Sequence, residues 1–152
     1  MPQATPISGA TYRERIQTVR DAMKEFGLEA IVLEPGPAMQ YLTGVRWGRS
    51  ERAFVLVLPL QGDLAFVVPG FEEMRAREMI PTGAGVLIWQ EDESPYQRVV
   101  QALRKHGVTS GRVGVDPSAR FFVLDGIRKL APKLDYVSAR AALRSAGAAG
   151  QP

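Results

Sequence analysis

The chain has 152 residues, with 19 Lys plus Arg against 16 Asp plus Glu, one His and no Cys. At this length a single domain burying roughly two thirds of its unfolded surface needs no staples. Without Cys, and with His106 as its one imidazole, the chain excludes disulfides, thiol nucleophiles, iron–sulfur ligation and His-rich zinc sites. The net charge of +3 is spread over segments that also carry acids, unlike a nucleic-acid footprint. No apolar run approaches the ~20 residues of a membrane span, and MPQATPISGATY is not a secretory leader. Neither nucleic acid nor membrane is an expected partner, and the cytoplasm is the expected location.

Residues 1–10 hold Pro2, Pro6 and Gly9 and read as a flexible leader. From Tyr12 to Phe26 the apolar set Ile16, Val19, Ala22, Met23 and Phe26 recurs at helical spacing, with Thr11 placed to cap and Gly27 to terminate. Ala30 to Leu33 is a wholly apolar run, as in a strand covered on both faces, and it breaks at Pro35-Gly36-Pro37. Ala38 to Leu42 makes a helical turn or two before Thr43-Gly44, and Arg46 to Arg52 is a polar loop.

Ala53 to Leu58 and Asp63 to Val68 are two strands joined by a short turn, a hairpin. Gly70 to Ile80 reads as a helix ended by Pro81 and Gly83, and Val86 to Trp89 as a strand. Ser94 and Pro95 suit the cap and first position of a helix with a Val99, Val100, Ala102, Leu103 stripe that stops at Gly107. Arg112 to Val115 is a strand, Asp116 caps, Pro117 starts the next helical stretch, Phe121 to Leu130 is helical and Leu134 to Val137 is a last strand. Strands alternating with helices around one hairpin predict an α/β fold, a three-layer α/β/α domain over residues 11–140 on a mixed sheet of about six strands. Residues 141–152 lose large apolar side chains and read as a linker or tail.

Candidate chemistry is sparse. Glu34, Glu91, Asp92 and Asp116 fall where strands meet loops, the ligand-binding edge of open α/β sheets. A small metal-dependent hydrolase built on Glu34, Asp92 and Asp116 would use them for a cation. Helix capping and dipole complementarity explain them more simply, because Asp116 precedes Pro117 and Glu91 to Glu93 precede Ser94-Pro95. No dinucleotide fingerprint, phosphate loop or nucleophile elbow is present. The segment Gln40 to Arg52 gathers Tyr41, Trp47, three arginines and Glu51. Either these exposed groups bind something, or Trp47 covers the sheet edge while Glu51 pairs with Arg49 or Arg52.

The order of the first helix, "EAIVLEP", "AMQYLTGV", the hairpin "AFVLVLP…LAFVVP" and "FEEMRARE" resembles the N-terminal domain of the creatinase/prolidase family, the Xaa-Pro dipeptidases and aminopeptidases P. "RWGRSERAF" and "WQEDESPY" look most like a bacterial Xaa-Pro dipeptidase-like subgroup. The likeness runs from about Tyr12 to Leu143, with Ala38 and Met39 standing where relatives often carry an asparagine-containing turn.

The resemblance implies a non-catalytic domain. In the family a separate pita-bread domain, not expected in this chain, binds two divalent metal ions (manganese, cobalt or zinc) that activate water. It also implies as partners the chain's own catalytic domain, a second subunit in a homodimer and proline-containing peptides. Tyr41, Trp47, Arg49, Ser50, Glu51 and Arg52 are the expected substrate-proximal residues, Trp47 walling a proline-sized pocket and Arg49 or Arg52 holding a peptide carboxylate. The competing expectation is a stand-alone binding or assembly module with the same fold.

Overall fold

The computed structural model describes residues 7–148. In chain order the elements are α1 (Gly9–Phe26), β1 (Leu28–Leu33), α2 (Pro37–Thr43), β2 (Val55–Pro59), β3 (Ala65–Pro69), a 3-10 turn at Gly70–Glu72 running into α3 (Glu73–Met79), β4 (Gly85–Trp89), α4 (Pro95–Lys105), β5 (Arg112–Val115), α5 (Phe121–Leu130), β6 (Asp135–Ser138) and α6 (Arg140–Ser145). One sheet contains all six strands in the order β4-β3-β2-β1-β5-β6. Only β2 runs against its neighbours, antiparallel to both β1 and β3, while β3–β4, β1–β5 and β5–β6 are parallel.

Alternation along the strands builds two cores, one on each face of the sheet. Ile31, Leu33, Leu56, Leu58, Phe66 and Val68 pack with Val19 and Met23 of α1, Met39 and Leu42 of α2 and Leu143 of α6. On the opposite face Ala30, Val32, Val55, Val57, Val67 and Val113 meet Val99 and Leu103 of α4 and Val123 and Ile127 of α5. The three-layer α/β/α expectation holds. The apolar runs of β1 and β2 are those of strands buried on both faces.

The two ends of the expected domain differ from the sequence reading. The first helix starts at Gly9, capped by Ser8, whose hydroxyl accepts from the Thr11 amide 3.2 Å away, so Thr11 lies inside the helix. The expected leader thus gives up Gly9 and Ala10 to α1, and residues 1–6 lie outside the described residues. Nor does residue 141 begin a tail: α6 buries Ala142 and Leu143, with Ala146 and Ala148 buried beyond it, and packs against α1. Alanines bury little area each but let two helices approach closely, so one Leu suffices where apolar content looked too low. Residues 149–152 are likewise outside the described part.

Candidate functional site

Every strand except β2 ends at the same edge of the sheet, and residues 45–52 cross that edge before β2 begins. Strands β1 and β5 lie side by side at the place where the chain, having laid β1 to β4 in one direction, crosses to the other side. Such a junction leaves a crevice in open α/β sheets. Glu34 and Asp116, the residues after β1 and β5, fill it at 1% and 6% exposure.

Their charges are met by two arginines. Arg120 donates from Nη2 to Glu34 Oε1 at 2.6 Å and from Nε at 3.0 Å, and its backbone amide donates to Oε2 at 2.7 Å. Its Nη1 reaches the Ser50 carbonyl at 2.8 Å. Arg49 donates from Nε to the Pro35 carbonyl at 2.8 Å, from Nη1 to the Ser118 carbonyl at 2.7 Å and from Nη2 to Ser118 Oγ at 2.8 Å. The same guanidinium stands 3.7 Å from both Glu34 and Asp116. Asp116 accepts from the Glu34 amide and from the Ser118 amide and hydroxyl. No described buried side-chain polar atom is left without a partner.

The six expected substrate-proximal residues separate under this geometry. Tyr41, on α2, turns toward α1, where the Arg15 guanidinium lies 4.0 Å from its ring centroid and donates to its carbonyl. Trp47 is half-buried, stacked on Phe54 at 4.5 Å between centroids, with the Arg75 guanidinium 4.1 Å from its ring. It packs there against the first core. Arg49 is committed to internal acceptors. Arg52 pairs with Glu91 rather than Glu51, at 2.9 Å, a contact that raises the guanidinium pKa above its ordinary value. Ser50 and Glu51 are exposed.

The capping account of the acids needs correction. Helix α5 starts at Phe121, and Asp116 caps the turn at Ser118 instead, since Pro117 to Arg120 stay outside the helix. Ser94 holds the N-cap position of α4 without a side-chain cap bond, while Glu93 accepts from the Gln90 amide and pairs with Arg98. Nor do the acids suit the cation of a metal-dependent hydrolase: among the described residues no three His, Cys, Asp or Glu side chains converge as metal ligands, and Glu34 and Asp116 are already neutralised by arginines.

The sequence reading missed Arg120 and the aromatic groups beside it. Phe121 and Phe122 are 70% and 44% exposed, and Phe71 and Met74 are 81% and 82% exposed, all near this edge. Arg120 lies 4.7 Å from the Phe122 ring and Arg52 5.5 Å from that of Phe71. The available signal was periodicity: in α5 only Val123 and Ile127 fall on the inward stripe, which leaves the Phe pair outside it.

The family description Creatinase/Prolidase N-terminal domain matches residues 15–146. An uncharacterised peptidase of Schizosaccharomyces pombe is 30% identical over 140 residues, covering 83% of this chain and 30% of that protein. The crystal structure of dipeptidase PepE from Mycobacterium ulcerans superimposes with a TM-score of 0.81 at 29% identity, over 92% of this chain and 37% of that one. The creatinase/prolidase N-terminal domain of an X-Pro dipeptidase from Streptococcus pyogenes shares the fold, with a TM-score of 0.73 at 17% identity, over 88% of this chain and 98% of that one. This chain thus spans about a third of the length of the two longer relatives.

Proposed function

The chain belongs to the creatinase/prolidase N-terminal domain family, and on that premise we propose that it is the non-catalytic N-terminal domain of a longer, cytoplasmic Xaa-Pro dipeptidase-like hydrolase. Hydrolysis, with the two divalent cations expected for it, belongs in this reading to the remainder of that protein. The observations that carry the reading are the family match over residues 15–146 and the likeness, over most of the chain, to part of a protein named a peptidase and of one named a dipeptidase, each about three times its length. No described helix is long and apolar enough to cross a membrane.

The domain contributes to a homodimer and lays residues 45–52 over the active site. Exposed Phe71, Met74, Phe121 and Phe122 flank that loop with the arginine and aromatic chemistry typical of protein contacts. In this arrangement the free edge of Trp47 lines the proline side of the substrate pocket and Arg52, released from exposed Glu91, meets the peptide carboxylate. Arg49 holds the loop.

In the full-length enzyme, Trp47→Ala and Arg52→Ala should each raise KM for Xaa-Pro dipeptides by about tenfold with kcat nearly unchanged, the pattern of lost uniform binding. Unaltered kinetics in both variants would sink the active-site role. Light scattering of the same protein should give a dimer mass, and a monomer would remove the assembly role. The 152-residue chain alone should cleave no Xaa-Pro dipeptide in manganese buffer.

A further inference from the structure

We infer that Arg49 and Arg120 are positioning residues which, with the buried carboxylates of Glu34 and Asp116, form a lock that fixes residues 45–52 across the sheet edge. Those residues form neither helix nor strand, so no backbone ladder holds them. Trp47 anchors one end against Phe54 and Arg75, and Arg52 ties the other to Glu91. Between these points the loop is held by the Arg49 side chain and by the Ser50 carbonyl on Arg120.

Electrostatics makes the lock conditional on both arginines. A carboxylate taken out of water needs a partner of good geometry, and removing one member of a buried pair costs far more than the pair contributes. Glu34, 1% exposed, has Arg120 on both of its oxygens and Arg49 beside one of them. Each arginine spends its fork on two elements at once: Arg120 spans Glu34 and Ser50, while Arg49 sits in the loop and reaches Pro35 and Ser118. A lysine keeps the charge and has three donors, but from a single nitrogen it cannot reproduce the spread of Nε, Nη1 and Nη2 over Pro35 and Ser118. The two cores on the faces of the sheet are complete without these four side chains, so the lock acts on the loop rather than on the fold.

Hydrogen exchange on the 152-residue chain tests this directly. Arg49→Lys should speed exchange of the Arg52, Ser118 and Arg120 amides, which donate to the side chains of Ser50, Asp116 and Glu34, by about tenfold or more while those of β1, β2 and β3 keep their rates, as for a local opening. Unchanged exchange at these three amides, or equal acceleration throughout the chain, overturns the proposal. Should Arg49→Lys fail to fold, Ser118→Ala removes one acceptor of Arg49 and one donor to Asp116 without touching the four charges. It should speed exchange of the same three amides by about threefold with β1 to β3 unchanged, and the same two contrary results overturn the lock.

The link to catalysis rests on the reading of residues 45–52 as substrate-proximal. In the full-length enzyme Arg49→Lys should raise KM and spare kcat. A loop loosened in exchange with KM unchanged would uphold the lock and defeat that reading.

Discussion

Two glycines show how single positions here answer to distant side chains. Gly44 ends α2 at a φ of +79°, and a Cβ there would lie 2.8 Å from the Tyr12 hydroxyl. The glycine of "YLTG" thus meets a left-handed backbone and a close neighbour from α1 together. Gly126 lies within helix α5, where propensity alone would favour Ala by about 1 kcal/mol. A Cβ at Gly126 would collide with the Tyr96 ring of α4, so the clash outweighs propensity. Gly126→Ala should therefore destabilise by about 1–3 kcal/mol, the usual range for overpacking. Urea denaturation checks this, and Tyr96→Ala in the same chain should recover part of the loss relative to Tyr96→Ala alone. Gain of stability in the single variant would mean that the α4–α5 contact is looser than described. Gly44 is legible from sequence as a helix terminator. Gly126 is not, because its reason sits thirty residues upstream.

At the scale of elements, α6 carries the sharpest test. Leu143 is 1% exposed in a helix of only six residues, too short to persist in water without tertiary contacts. Its burial against α1 makes α6 part of the first core. Leu143→Ala should cost about 2–5 kcal/mol, as for other buried Leu truncations, and should appear as a lower denaturant midpoint with unchanged slope. A midpoint equal to wild type would show that the domain ends before this helix. Most other elements announced themselves: the 3.6-residue stripes of α1 and α4, the apolar runs of β1 and the hairpin, and the boundaries at Gly27 and Pro81 follow from local sterics and periodicity. The Ala-rich α6 escaped because small side chains gain their burial from close helix approach, which composition does not register. Loop 45–52 escaped in part for a related reason. Its Trp and Arg residues marked it as unusual, but the same residue types serve an outward-facing binding loop and one tied down from beneath.

For the whole molecule, pH probes how α4, α5 and β6 close one face of the sheet. Burial pushes the phenols of Tyr96 and Tyr136 above their ordinary 10.0; for Tyr96 the charge of Glu34 adds to the rise while Arg120 opposes it. A raised folded-state value means the unfolded chain releases its proton first. The stabilisation is complete below about pH 10 and is lost as pH rises through the folded value. Thermal melts should thus hold steady toward pH 9 and fall above about pH 10, and Tyr96→Phe with Tyr136→Phe should flatten that fall. An equally steep fall in the double variant would place its cause elsewhere. The sequence by itself determined the α/β class, the hairpin, two-sided burial of the central strands and the family likeness, because these depend on periodicity and turn chemistry within short windows. Only the tertiary structure decided that β2 alone opposes the other strands, that α6 belongs to the core, and that Glu34, Arg49, Asp116 and Arg120 meet at one edge. Those four are scattered along the chain, and only the crossover that sets β5 beside β1 brings their charges together. There, burial turns four surface-type side chains into one interdependent group.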